Sequence, residues 1–324
     1  MAAKITPLHS GVTSNWGPRN DLNFMHRQRR LAPERMKFGL AFANIGPFVE
    51  PDAAVGLAQA AEAAGFESIW TVDHVVVPAG YRSKYPYDPS GKLPSGEATV
   101  FPDPLIWLAY VAARTSTVRL GTGILIVPQR NPLVLAKELA TLDHLSGGRM
   151  ILGAGIGWLE EEFEALGVPF VGRAQRTEEA IAAMRALWSH EQASYEGSTT
   201  SFRDCFLRPQ PPGGTIPVHV GGHSQAAAQR AGRIGDGFFP FGVTRDETIS
   251  LMEVLRQSAE EAGRDPASIE ITVQCNVTAA DEALAEVTVL QQLGATRVIV
   301  PAAMFREDLA ESLKRYGADV IGRV

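Results

Sequence analysis

Residues 68–74 read Ser-Ile-Trp-Thr-Val-Asp-His (SIWTVDH). Ile69, Trp70, Thr71 and Val72 are β-branched or aromatic, the residue types that suit a short buried strand. The helical pattern before them stops at Gly65, and the strand ends on two adjacent ionisable side chains, Asp73 and His74. A loop rich in Pro, Gly and Tyr follows. An acid and an imidazole at the carboxyl end of a strand, under a large loop, sit where an α/β barrel places its chemistry. The bland alternative is that Asp73 caps a turn and His74 is a satisfied histidine.

Outward from this stretch the chain alternates between the two hydrophobic periods. Strands are predicted over 37–43, 68–72, 118–127, 150–155, 217–220, 236–240, 269–275 and 297–301. Helices follow over 51–65, 103–115, 132–145, an acidic segment after Trp158 with 174–190, then 224–235, 244–262, 281–293 and 307–317. Residues 78–102 are too long for a plain connector and read as a lid or substrate loop. Residues 195–215 read as irregular, with room for a short hairpin. Eight βα units in about 290 residues fit a (β/α)8 TIM barrel of ~250 residues plus insertions. A doubly wound open sheet would more often carry a GxGxxG motif after its first strand, where this chain has ANIGPF. The barrel is therefore expected over residues 36–324. Residues 1–35 are rich in Arg, poor in acids and without periodicity, and are expected to form an irregular arm.

Composition narrows the function classes. With 45% hydrophobic and 20% charged residues the chain has the balance of a globular protein with a large core. A formal net charge of −6 and the lack of a basic stripe argue against general nucleic-acid binding. No apolar run approaches the roughly 18 residues of a membrane span. The two cysteines, Cys205 and Cys275, form no metal-ligand spacing, so the reducing cytoplasm is the expected compartment and no metal site is expected.

Three features fall at predicted carboxyl ends of strands. His74 is the residue type that suits proton exchange with a reacting oxygen, with Asp73 to orient it or bind substrate. Gly123, inside GTGILIV, marks a bulge or a close approach by ligand, or merely loose packing. Gly221-Gly222 before a Ser-started helix suits an anion at the helix start, or a plain tight turn. The Glu160, Glu161, Glu162 and Glu164 run reads as a solvated helix start, and His219 as a core histidine.

LGTGILIVPQRNPLVLAKELATLDHLSGGRMILGAGIGWLEEEFEALG, the VDH strand end, the RNP before a helix and VGGHS…AGRIGDGF resemble the luciferase-like (bacterial luciferase-type) family, over about residues 36–320 in order. Within it the chain most resembles oxidoreductases that use the deazaflavin coenzyme F420. The resemblance implies hydride transfer between F420 and a small organic substrate. It places His74 beside the deazaflavin ring, with Asp73 contacting substrate or cofactor. It puts a non-prolyl cis peptide at Gly123-Ile124 behind the ring, Gly155 and Ile156 beside it, and the phosphate at Gly221 and Gly222. It also implies a homodimer. One departure stands out: a sugar-phosphate dehydrogenase branch has a glutamate where this chain has Trp158, so a sugar phosphate is not the expected substrate. An FMN-dependent monooxygenase, and a non-catalytic flavin- or deazaflavin-binding barrel, are the alternatives.

Overall fold

The computed structural model describes residues 35–94, 96–305 and 308–324. The arm expected over residues 1–35 lies, apart from Arg35, outside them. Four strands, β1 (Lys37–Ala41), β2 (Ser68–Thr71), β3 (Arg119–Thr122) and β4 (Leu125–Ile126), precede β5 (Met150–Gly155). A hairpin of β6 (Ala193–Glu196) and β7 (Ser201–Cys205) leads to β8 (Val218–Gly221), β9 (Gly237–Phe239), β10 (Glu270–Gln274) and β11 (Arg297–Pro301). All pairings except the β6–β7 hairpin are parallel. They run β1–β2–β3–β5–β8–β9–β10–β11 and return to β1, with β4 continuing β3 along β5. This is a closed eight-stranded barrel, as the alternation predicts.

The helices are α1 (Pro51–Ala63), α2 (Pro104–Ala112), α3 (Pro132–Ser146), α4 (Glu160–Ala165) and α5 (Arg173–Ser189), then α6 (Gln225–Ile234), α7 (Arg245–Glu261), α8 (Ala280–Gln292) and α9 (Leu309–Asp319). Local chemistry sets their starts. Pro51, Pro104 and Pro132 occupy first-turn positions, where the missing N–H costs nothing. Asp103 and Asn131 cap α2 and α3 by accepting backbone N–H groups, and Thr244 with Glu247 forms a capping box on α7. The residues predicted to open the last helix include Glu307, which lies outside the described residues. No described helix is long and apolar enough to cross a membrane.

Two hydrophobic cores result. The larger fills the space between strands and helices. The smaller lies inside the barrel and gathers Ala41, Trp70, Ile151, Phe239 and Ile299. Trp70 is its centre, and the strands facing it make room by omitting side chains. A Cβ on Gly121 would stand 2.6 Å from the indole, and one on Gly39 2.8 Å from Nε1. The indole N–H donates to Ser68 Oγ at 2.9 Å. The strand β2 is thus the plug of the barrel, and its carboxyl end must emerge on the rim.

Candidate active site

The third predicted strand is not continuous. Leu120 faces Met150 and Leu125 faces Ala154, so one extra residue is inserted between them relative to β5. This is a bulge at Gly123, and the Gly123–Ile124 peptide is cis. Neighbouring glycines admit it. A Cβ on Gly153 would lie 1.7 Å from the Thr122 carbonyl oxygen. The Ile124 side chain then occupies space left by Gly155 and Gly221, whose Cβ atoms would come within 2.2 and 2.4 Å of it. Four expected site residues, Gly123, Ile124, Gly155 and Gly221, therefore meet at one point across three strands.

Asp73 supports that bulge from the next strand. Its Oδ2 accepts from Ile126 N–H at 2.9 Å, and its Oδ1 pairs with Arg130 Nη2 at 3.1 Å. The same guanidinium reaches Asp103 Oδ2 at 3.0 Å, while Asp103 Oδ1 caps α2. Burial pushes the Asp73 carboxyl above its ordinary value, and Arg130 and the Ile126 amide pull against that shift. Both oxygens of Asp73 are engaged, so its geometry is that of a brace. The RNP triplet now has three separate jobs: Arg130 closes the ion-pair chain, Asn131 caps α3 and Pro132 begins it.

His74 turns the other way. Its Nδ1 lies 3.0 Å from Oε2 of Glu162, a fully buried residue on α4. Glu162 Oε1 accepts from Val75 N–H at 2.7 Å and Val76 N–H at 3.3 Å. The expectation of a solvated acidic run thus fails at Glu162. Leu159, Glu162, Phe163 and Leu166 recur at helical spacing, and that stripe faces inward. The spacing was the available signal, and the charge masked it. Glu161 is turned onto the loop, accepting from Arg82 N–H at 2.7 Å and Ser83 N–H at 3.2 Å. Buried Asn44 was also missed. It exchanges two hydrogen bonds with the Val72 backbone and donates to Pro102 O, fixing the bend after β2.

The loop after β2 reaches across the rim. Ring centroids lie 5.9 Å apart for His74 and Trp158, 5.2 Å for Trp158 and Tyr85, 5.4 Å for Tyr85 and Tyr87, and 5.1 Å for Tyr87 and His223. This chain of edge contacts links the imidazole to the Gly221-Gly222 turn along the carboxyl-end rim. Burial pushes the Tyr85 and Tyr87 phenols up to about 12, so both are neutral donors at physiological pH. Gly222 has φ +138°, and a Cβ there would stand 2.8 Å from Ala227 Cβ. Its N–H is already given to Phe239 O at 3.2 Å. An anion at this turn would meet the amides that follow, at the start of α6, where Ser224 is the cap. Ile156 is half-buried beside Gly157 on the same β5–α4 segment.

His219, by contrast, is a core residue as expected. It is buried in β8, its Nε2 is 3.4 Å from Glu270 Oε2, and burial holds its ring down at about 3.

The chain is similar to known proteins in sequence and in fold. An uncharacterised protein of Mycobacterium tuberculosis is 34% identical over 233 residues, 71% of this chain and 80% of that protein. An F420-dependent glucose-6-phosphate dehydrogenase of Kineococcus radiotolerans is 34% identical over 67% of this chain, which spans 61% of that enzyme. Among solved structures, an F420-dependent secondary alcohol dehydrogenase superposes with TM-score 0.71 at 19% identity, over 88% of this chain and 98% of that one. A monooxygenase of Streptomyces bottropensis gives 0.69 at 24%, over 89% and 99%. These last two likenesses speak for the fold. The sequence profile of luciferase-like monooxygenases matches residues 32–320, from before β1 to the last helix, and by that match the chain belongs to the luciferase-like monooxygenase family.

Proposed function

We propose that this protein is an oxidoreductase that transfers hydride between coenzyme F420 and a small uncharged organic substrate. The observation that carries the proposal is the convergence of His74, the Ile124 bulge and the Gly221-Gly222 turn on one rim. Support for the deazaflavin comes from the F420-dependent relatives at 34–35% identity.

The residues present fit such a group. The kinked Gly123–Ile124 segment, bedded on glycines that no Cβ-bearing residue could replace without displacing Ile124, offers a fixed apolar step for a planar ring. The Gly222 turn and the start of α6 offer amides and a partial positive charge to its phosphate. When bound, the deazaflavin supplies the hydride chemistry. The chain does the rest. His74 holds or accepts the proton that accompanies hydride transfer. The described residues of the 78–102 loop, anchored through Glu161 and the tyrosines, shape the pocket and exclude water.

The aromatic lining favours an uncharged substrate. Trp158 lies among His74, Tyr81 and Tyr85. Arg130 is committed to two aspartates, and Lys92 sits over the Tyr81 ring at 3.9 Å. Neither is available to a phosphate monoester.

Anaerobic titration of the purified protein with F420 and with FMN, followed by fluorescence, tests the cofactor. Saturable F420 binding with no FMN binding is expected. Tight FMN binding without F420 binding would assign the barrel to the FMN-dependent monooxygenases instead.

A further inference from the structure

Glu162 does more than fill a buried position. Three hydrogen-bond donors converge on it from one short stretch of chain: the His74 ring and the Val75 and Val76 amides. A carboxylate offers acceptors only. With Oε1 occupied by two amides, Oε2 faces the imidazole at 3.0 Å. A neutral imidazole carries one proton, and the nitrogen that faces a carboxylate must be the one that bears it.

We propose that Glu162 is the positioning residue that locks His74 as the Nδ1–H tautomer, leaving Nε2 as the proton acceptor of the resting protein. Nε2 makes no hydrogen bond among the described residues, and the ring is walled by Phe101 and Trp158 at centroid distances of 5.1 and 5.9 Å. The one free lone pair of the ring therefore belongs to the atom turned away from Glu162. Asp73 cannot compete for the ring, because both its oxygens are held by Arg130 and Ile126. The inference deepens the proposed function, in which His74 handles the proton, and rests on that reading only for its kinetic consequence. The tautomer is a property of the protein alone.

Glu162→Gln separates this role from a structural one. A glutamine keeps an oxygen for the Val75 and Val76 amides, so the loop root survives. Its amide nitrogen then faces the ring as a donor, and Nδ1 must accept from it. The proton is forced to Nε2 and the tautomer is inverted.

The test is nitrogen NMR of the histidine-labelled protein at alkaline pH, with the His74 signals assigned by loss in His74→Ala. The wild-type protein is expected to show a protonated Nδ1 and a bare Nε2, and Glu162→Gln the reverse, with the same melting temperature. In turnover assays with F420, Glu162→Gln should lose on the order of a hundredfold in kcat with KM little changed. A wild-type proton on Nε2 would overturn the proposal outright, even if the variant failed to fold. So would a Glu162→Gln protein that keeps the wild-type tautomer. If F420 does not bind while the tautomers behave as stated, the cofactor reading fails and the role of Glu162 stands.

Discussion

The barrel buries ionic groups at both ends, and the two ends differ in where a half-satisfied imidazole lies. At the amino-end floor, where β1, β2, β10 and β11 begin, Arg297 is wholly buried. It donates through Nε and Nη2 to Glu67 at 3.0 Å each, and through Nη1 to Glu270 at 2.8 Å and Thr272 at 3.2 Å. Lys37 adds a second ion pair to Glu270. This cluster closes on itself. At the carboxyl-end rim, Arg130 Nη2 joins Asp73 and Asp103 while its Nε stays unpartnered, and His74 is satisfied on one nitrogen. Buried charge by itself marks neither end as functional, since structural networks perturb their members as strongly as active sites do. The floor also holds a histidine with one nitrogen unpartnered, since His219 faces Glu270 through Nε2 and leaves Nδ1 without a hydrogen bond, but that atom is sealed inside the barrel. What marks the rim is where its half-satisfied ring lies, at the carboxyl ends of the strands under the loop after β2.

If the floor is structural, breaking it should cost stability and spare activity. Arg297→Ala would leave Glu67 with Arg119 at 3.9 Å and Glu270 with Lys37 as their remaining cationic partners. The loss should be about 3 kcal/mol, the low end for a broken buried pair, because the two glutamate side chains keep 25 and 26% of their surface in solvent. Chemical denaturation would measure it, and the folded fraction should keep its turnover. A loss of turnover in fully folded protein would erase the contrast between the ends. The rim should behave oppositely. His74→Ala should lose about a hundredfold or more in kcat, as for a missing acid–base group, with an unchanged circular dichroism spectrum. Retained turnover would show that the open nitrogen has no role.

A smaller effect is expected where the rim meets the barrel wall. Gly155→Ala places a methyl within 2.2 Å of Ile124 Cδ1. It should cost about 1–3 kcal/mol through overpacking and weaken F420 binding, and a second change, Ile124→Ala, should relieve the stability loss. Failure of that relief would mean that Gly155 serves some purpose other than seating Ile124.

The smallest effect is a slope. Burial, then Arg297, hold His219 at about 3 against an ordinary 6.5. Between those values the unfolded chain binds a proton that the native protein does not, so stability should fall as pH drops through that window. Glu270 adds a loss of the same sign. Burial opposes its charge, yet Arg297 and Lys37 hold it at about 2 against 4.5, so its contribution fades between those values on acidification. His219→Asn should flatten the melting temperature between pH 6.5 and 4.5. An unchanged slope would place the acid sensitivity elsewhere.

The alternation of periods, the prolines and caps at helix starts, and the strand end at Asp73-His74 were all legible along the chain, because each is set by neighbours within a few residues. The bulge was legible only as one of two readings, since a glycine inside a strand marks either a bulge or loose packing, and the register of β3 and β4 on β5 decided between them. The partnerships were not legible. Asp73 and His74 are adjacent, yet one braces Arg130 and Ile126 while the other faces Glu162, 88 positions away. A run of glutamates looks solvated until the barrel brings the loop after β2 against α4. Local sequence determined that an acid and an imidazole would emerge together on the rim. Only tertiary packing decided which became the brace and which was left with a free nitrogen, because a hydrogen bond between distant segments depends on where the closed sheet sets them.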